Sequence, residues 1–330
     1  MVVSIRTAME LEGERQMTQN KSLQARKPRR HGLRHDIRTN YDLYLLAIPG
    51  VLYYALFKYW PMYGLQIAFR KYNPALGITG SPWVGLEYFE KFVNVYQFGS
   101  LMSNTFLLSF YALVVGFPIP IILALLLNSN RTRMFKKSVQ MVTYAPHFIS
   151  VVVLVSLLNV FFGQSTGLVN NLREMLGLSR ELYMGKPQYF RHMYVWSDVW
   201  QNTGWGAIVY LAALSGISPE LYEPARVDGA NRHHIIRYIE LPGILPTIII
   251  MLLLKLGSIM NVGFQKAFML QTTANSTTSE IIATYVYKIG LTRAQYSFSA
   301  AIGLFNTAIN IALLCFSNGV SKRLTETSLW

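Results

Sequence analysis

Lys255 puts an ammonium inside an otherwise apolar stretch, residues 244–263. It stands eleven residues after Ile244, roughly 16 Å along a helix rising 1.5 Å per residue. If that stretch crosses a membrane, the charge lies near the middle of the apolar layer, where it costs at least about 2.5 kcal/mol. It should therefore face a cavity or a cluster of carbonyls. Two roles fit: a cation beside a transport path, or an anchor between helices. Asn202, Trp205, Asn261, Gln265 and Asn306 are further polar or ring-bearing residues set into or beside apolar runs. Amides can hydrogen-bond a polar solute and rings can stack on it, so these five join Lys255 as candidates for lining a path. Trp196 and Trp200, at the outer end of their run, read as an interfacial belt.

No catalytic constellation emerges. His233 and His234 sit among arginines in a polar stretch and read as solvated, while Glu223 and Asp228 read as caps and charge contacts. The single cysteine, Cys315, lies in an apolar run, which leaves no disulfide framework and no cysteine metal site. No Gly-x-x-x-x-Gly-Lys-Ser/Thr loop occurs. The chain is expected to be no enzyme and to hold no metal or cofactor. If ATP and Mg drive it, they sit on another subunit.

The elements that must position these residues are helices in a membrane. Of 330 residues 52% are hydrophobic and 14% charged, against roughly 25% charged in soluble domains. A net charge of +14 would suggest nucleic acid in a soluble protein. Here the charges gather at the ends of apolar runs, so no nucleic-acid partner is expected. Six apolar segments, about 42–67, 103–127, 139–162, 195–217, 244–263 and 299–317, each approach the ~20 residues a spanning helix needs. The expected fold is all-α, a polytopic bundle of six transmembrane helices spanning 41–320. A basic tail (1–40) precedes it and a short tail (321–330) follows. The first forty residues lack the apolar core of a cleavable signal. With the amino terminus in the cytoplasm, inner loops and tails carry eighteen Lys/Arg and outer loops ten. That bias places both termini and residues 218–242 inside.

Residues 218–242 carry two helix starts and a stop. Ser218 can cap a first helix with Pro219 at its first position. Gly229 can end it in a left-handed conformation. Asn231 can cap a second, with Ile235, Ile236 and Ile239 on one face, and Pro242 should stop or kink that one. Within this stretch Glu223, Ala225, Gly229, Ile239, Leu241 and Pro242 resemble the cytoplasmic loop of ABC-importer permeases. The pattern there is Glu-Ala-Ala, then Gly, nine residues, and Ile-x-Leu-Pro; Pro224 stands where the family has its first Ala. The stretch 83–89 resembles an outer-loop element of sugar-importer permeases. Residues 144–150, 59–63 and 261–264 resemble the subgroup for complex carbohydrates, alginate and uronide oligosaccharides among them.

The resemblance implies a type I ABC-importer permease of the maltose-permease kind in a bacterial cytoplasmic membrane. It implies pairing with a second permease and two ATPase subunits, and sugar delivery by an extracytoplasmic solute-binding protein. Leu221, Tyr222, Glu223, Ala225, Asp228 and Gly229 would dock the ATPase. Two other classes stay open on residues alone. An ion-coupled transporter needs carboxylates or histidines within spans; only His147 and, near an outer end, Asp198 offer themselves. A membrane enzyme needs His/Asp/Glu clustered at one membrane face.

Overall fold

The computed structural model describes residues 39–130 and 132–325; the basic tail and Arg131 lie outside these. The described residues are helical almost throughout, with two isolated bridges, Arg70 to Trp83 and Asn73 to Gly77. The chain divides at Gly64/Leu65 into two compact units.

In the first unit, α1 (Tyr41–Tyr54) runs into a wider turn, Ala55–Tyr59. No residue of either is buried, so its apolar side chains are lipid- or partner-facing by composition. With the 3-10 segment Trp60–Phe69 it makes one apolar run of membrane length, Tyr41–Phe69.

The second unit holds the bundle. α2 (Phe98–Gly116) and α3 (Pro118–Ser129) form one apolar span, with Pro118 at the start of α3, where a missing N–H costs least. The apolar segment expected at about 139–162 falls on two helices, α4 (Arg133–Tyr144) and α5 (Val151–Phe162). They are bent by 102° at a short break. Pro146 lies in the 3-10 turn Ala145–Phe148, and Ser150 starts α5 by accepting from the Val153 N–H at 3.3 Å. A proline followed by a fresh cap ends one helix and begins another. α6 (Leu168–Met175) follows in a loop.

α7 (Pro187–Ser215) is 29 residues long, about 43 Å of helix. It carries Arg191, His192, Asp198, Gln201 and Asn202. Four other described helices, or five with the bent pair taken as one, are both long and apolar enough to span; α7 has the length but not the composition. Apart from Val195, its buried positions Phe190, Tyr194, Ser197, Gln201, Gly204, Ala207, Tyr210 and Leu214 recur every three or four residues, and they contribute to two of the three core clusters. A helix wrapped by its neighbours does not need the apolar surface that lipid demands. At Gly204 an added Cβ would meet the Thr143 carbonyl oxygen at 2.2 Å, so glycine there lets α7 and α4 touch backbone to backbone.

Three short elements close the polar loop: a 3-10 turn Pro219–Leu221, α8 (Tyr222–Val227) and α9 (Arg232–Ile235). Pro242 does not stop the helix that α9 begins. Residues 236–240 widen into a π-turn and α10 (Leu241–Leu256) continues, so Arg232–Leu256 is one apolar span. The wider turn lies just where the proline ring would press on the preceding carbonyls, and it accommodates the ring without a break. The span thus starts twelve residues earlier than the sequence suggests and ends seven sooner. α11 (Phe264–Leu270), α12 (Ile282–Tyr287) and α13 (Tyr296–Thr325) complete the unit.

Candidate docking loop and transport path

The loop is built by local hydrogen bonding. The Ser218 hydroxyl accepts from the Glu220 N–H at 3.3 Å. Pro224 falls in the first turn of α8, where its missing N–H costs nothing, and its carbonyl accepts from Asp228 at 2.9 Å. Gly229 has φ +76°. Its N–H bonds the Arg226 carbonyl at 3.1 Å while the Ala230 N–H reaches back to Ala225 at 2.8 Å, the paired bonds of a Schellman stop. Asn231 then caps α9, its side chain accepting from the His234 N–H at 3.0 Å.

This end of the molecule displays Glu223, Asp228 and Gly229 to solvent with Leu221 and, at 87% exposure, Val227. Ala225 is half-buried against the loop. Tyr222 is half-buried too, with Glu240, Asn128 and Arg232 around its hydroxyl. Burial pushes that hydroxyl's pKa up and the Glu240 charge adds to the rise, while Arg232 and Asn128 oppose it. Glu240 itself is fully buried; Arg232 holds it at 3.1 and 3.2 Å and Asn128 donates to it at 2.7 Å.

Deeper in the bundle lies a continuous polar chain. The Trp205 ring stacks on His147 at 4.5 Å and 4°. His147 Nδ1 is 2.9 Å from Asn202 Oδ1, and Asn202 Nδ2 donates to Asp198 at 3.1 Å. Asp198 accepts from Lys266 Nζ at 2.9 Å, and that ammonium lies 4.4 Å above the Tyr194 ring. Asp198, near the outer end of the apolar run 195–217, stands eleven residues into α7, because that helix begins at Pro187, eight residues before the run. Lys266, which sequence counts as an outer-loop charge, is 5% exposed. Its charge tolerates that burial because a carboxylate and a ring face meet it.

Lys255 was expected in mid-helix, but α10 ends at Leu256 and turns at Gly257, placing Lys255 in the last turn. There its charge complements the unpaired carbonyls of the helix end. It lines two neighbouring cavities. One, of about 430 Å³, is also bounded by Asp198, Tyr194, Ser109 and Asn261. The other, of about 190 Å³, is bounded by Asp198, Asn202, Trp205 and Tyr210. Among the described residues Lys255 has no ion-pair partner within 4 Å. Asn261 accepts from both Asn306 and Asn310 at 3.1 Å, an amide knot between the turn after α10 and α13. Asn306 and Gln265 line neither of these two cavities, and Gln265 is exposed on α11. Trp196 and Trp200 line a separate apolar cavity of about 470 Å³ with Leu154, Phe161 and Met193.

Of the sequence candidates, the fold thus gathers Asn202, Trp205, Lys255 and Asn261 around two cavities that share Asp198, Met251 and Lys255 in their walls. Reading the sequence passed over Asn128 and Glu240 altogether and gave His147, Asp198 and Lys266 no place in the path. The available signal was an ionisable side chain within or beside an apolar run. No group of three metal-ligating side chains occurs among the described residues.

Membrane-length helices, a capped polar loop at one end and charged cavities between the helices define a membrane transport component. The chain belongs to the family of binding-protein-dependent transport system inner membrane components, whose model matches residues 116–326. It is the permease subunit of an ABC importer and not an enzyme. Protein LplB of Bacillus subtilis (strain 168) is 41% identical over 288 residues, 87% of this chain and 91% of the relative. The polygalacturonan/rhamnogalacturonan transport system permease protein YteP of the same organism is also 41% identical, over 87% of this chain and 90% of its own length. Among solved structures, a crystal structure of a bacterial ABC transporter involved in the import of the acidic polysaccharide alginate contains a chain with TM-score 0.82 and 39% identity. The match covers 89% of this chain and 99% of that one. The all-helical type I permease fold is therefore shared.

Proposed function

We propose that this permease forms half of the path for an acidic oligosaccharide, beside a second permease and above two ATPase subunits docked on α8. The observation that carries the reading is charge bookkeeping in the cavities: Asp198 is already neutralised by Lys266, and Lys255 is a cation without a counter-ion. The site therefore holds one net positive charge, aligned with Trp205 and Asn202, groups suited to a sugar face and its hydroxyls. The names of relatives support the class: one serves polygalacturonan and rhamnogalacturonan, and a solved neighbour serves alginate, in one structure alongside a pentasaccharide-bound periplasmic protein. An extracytoplasmic binding protein delivers the sugar. The chain lies in the bacterial cytoplasmic membrane with both termini inside, and ATP with Mg acts only on the partner ATPases.

The mechanism follows from where the charges are. ATP binding draws the ATPases together, α8 moves with them, and the cavities around Lys255 open to the outer side. Lys255 then offers a carboxylate a partner that the protein itself does not occupy. The test is reconstitution of the assembled transporter with binding protein and either oligogalacturonate or a neutral oligosaccharide of equal length. ATP-dependent uptake of the charged sugar in preference to the neutral one is the expected result; preference for the neutral sugar removes the acidic-substrate reading.

A further inference from the structure

The apolar cavity of about 470 Å³ between α5 and α7 takes no part in the path. Leu154, Leu157 and Phe161 come from α5, and Met193, Trp196 and Trp200 from α7. At about 100° per residue, Trp196 and Trp200 point roughly 160° away from Asp198, whereas Asn202 and Trp205 lie within about 40° of it. The cavity is therefore on the back of α7, turned from the charged cavities and from the side on which a second permease would complete the path.

Its wall holds no charged and no amide side chain. The Ser197 hydroxyl donates to the Tyr194 carbonyl at 3.0 Å, and the Trp196 indole N–H donates to the Tyr111 hydroxyl at 3.0 Å. A sugar would find few partners for its hydroxyls, and a buried hydroxyl without a partner is costly. The occupant must be apolar. From His192 to Trp200 the cavity follows α7 for eight residues, about 12 Å. A packed helix, about 10–12 Å across, would need roughly 900 Å³ over that length, about twice the space present. A single hydrocarbon chain is narrower.

One end of the cavity is polar. His192, exposed in the second turn of α7, has Nδ1 2.8 Å from the Tyr111 hydroxyl. The tyrosine oxygen already accepts from Trp196, so its own O–H is the group left to donate to Nδ1, which puts the imidazole proton on Nε2. That N–H has no hydrogen-bond partner among the described residues and suits an ester or phosphate oxygen. α7 leads from this end toward the loop at 218–242, so the cavity lies in the half of the layer remote from the loop, the outer half by charge bias.

We propose that this cavity holds one acyl chain of an outer-leaflet phospholipid, with the lipid's ester or phosphate oxygens at His192.

The experiment uses the assembled transporter in nanodiscs of phosphatidylethanolamine and phosphatidylglycerol. Phosphatidylethanolamine bearing a diazirine in one chain replaces a rising share of the lipid. After illumination, peptide mass spectrometry locates the adducts. Those on residues 154–161 and 193–200 are expected to saturate at a low share of probe. Those on exposed α1 residues such as Leu46 and Phe57 should rise in proportion to it. Leu157→Trp/Met193→Trp narrows the cavity and should lower the saturable adducts about tenfold, as for keeping roughly two methylenes of the chain out. Adducts on α1 and copurification of the ATPase should not change. His192→Phe is an exposed, wall-preserving change and should lower the saturable adducts about threefold, the worth of one hydrogen bond at a wet mouth. If the double variant fails to assemble, His192→Phe decides alone, and an unchanged saturation curve there counts against the proposal. Cavity adducts that rise in proportion to the probe, as on α1, would make the groove ordinary lipid-facing surface and overturn it. No adducts there would mean that protein closes the groove, which overturns it too. Clearance of the adducts by oleate at an equal share would assign the cavity to a free fatty acid instead of a phospholipid.

Discussion

Lys266 and Asp198 meet at 2.9 Å although 68 residues separate them. The bond ties α11 to the middle of α7 and consumes the acidic group that would otherwise face Lys255. Asp198 is 41% exposed and Lys266 only 5%, so the pair is lopsided: the cation depends on the anion more than the reverse.

That dependence is measurable. Asp198→Asn should lower the stability of the assembled permease by about 2–3 kcal/mol, less than for a fully buried pair because one partner is wet. Asp198→Asn/Lys266→Met should recover most of it. Thermal unfolding of the detergent-solubilised complex reads both. A single variant as stable as the parent would mean that Lys266 is solvated by other means.

Lys255→Met keeps most of the side-chain volume and removes the charge. Uptake of an acidic oligosaccharide should fall about tenfold more than that of a neutral one, equivalent to roughly 1.4 kcal/mol for one partly screened contact. Assembly with the ATPase should be kept, because the residue lies at the far end of α10 from the loop. Equal losses for both sugars would leave Lys255 an anchor at the helix terminus.

Glu223→Ala should abolish sugar-stimulated ATP hydrolysis and weaken copurification of the ATPase while leaving membrane insertion intact. Gly229→Ala should do so partially, since a side chain in the left-handed region costs about 1–2 kcal/mol. Gly229→Pro should do so fully, because its ring forbids φ +76°. Normal coupled uptake by both Glu223→Ala and Gly229→Pro would remove α8 from the docking role.

Sidedness can be read by cysteine labelling in a Cys315→Ala background. Cysteines at Val227 and His234 should be shielded from an impermeant reagent added outside, and those at Leu76 and Leu178 should react. All four positions are exposed in the fold, so burial within this chain does not account for a silent site. The opposite pattern would reverse the charge-bias assignment.

The caps of the loop 218–242 were legible from sequence because their structure is local. Ser218, Gly229 and Asn231 act within three residues of themselves, and cap chemistry depends on residue type. The fold class was legible because lipid imposes length and composition. The polar chain was not, because its links span 55 and 68 residues and residue type says nothing about which helices meet. Pro242 misled for a different reason. Proline forbids one hydrogen bond, and a helix can answer by widening a turn as well as by ending. The break at Gly257 then displaced Lys255 from the middle of a helix to its end, a change no local pattern announced.

That wider turn has a consequence for how such a chain can vary. A π-turn holds one residue more than an ordinary helical turn, and each residue advances a helix by about 100°. The wider turn therefore absorbs that residue, and Leu241–Leu256 keeps the phase it would have after an ordinary turn. Removing one of them would tighten the π-turn into an ordinary one and leave Ile244 and Leu253 in the core and Lys255 at the cavities, whereas removing two would revolve α10 by about 100°. The base of α10 thus acts as a slack turn: one residue can be lost there without rotating the distant wall at Lys255.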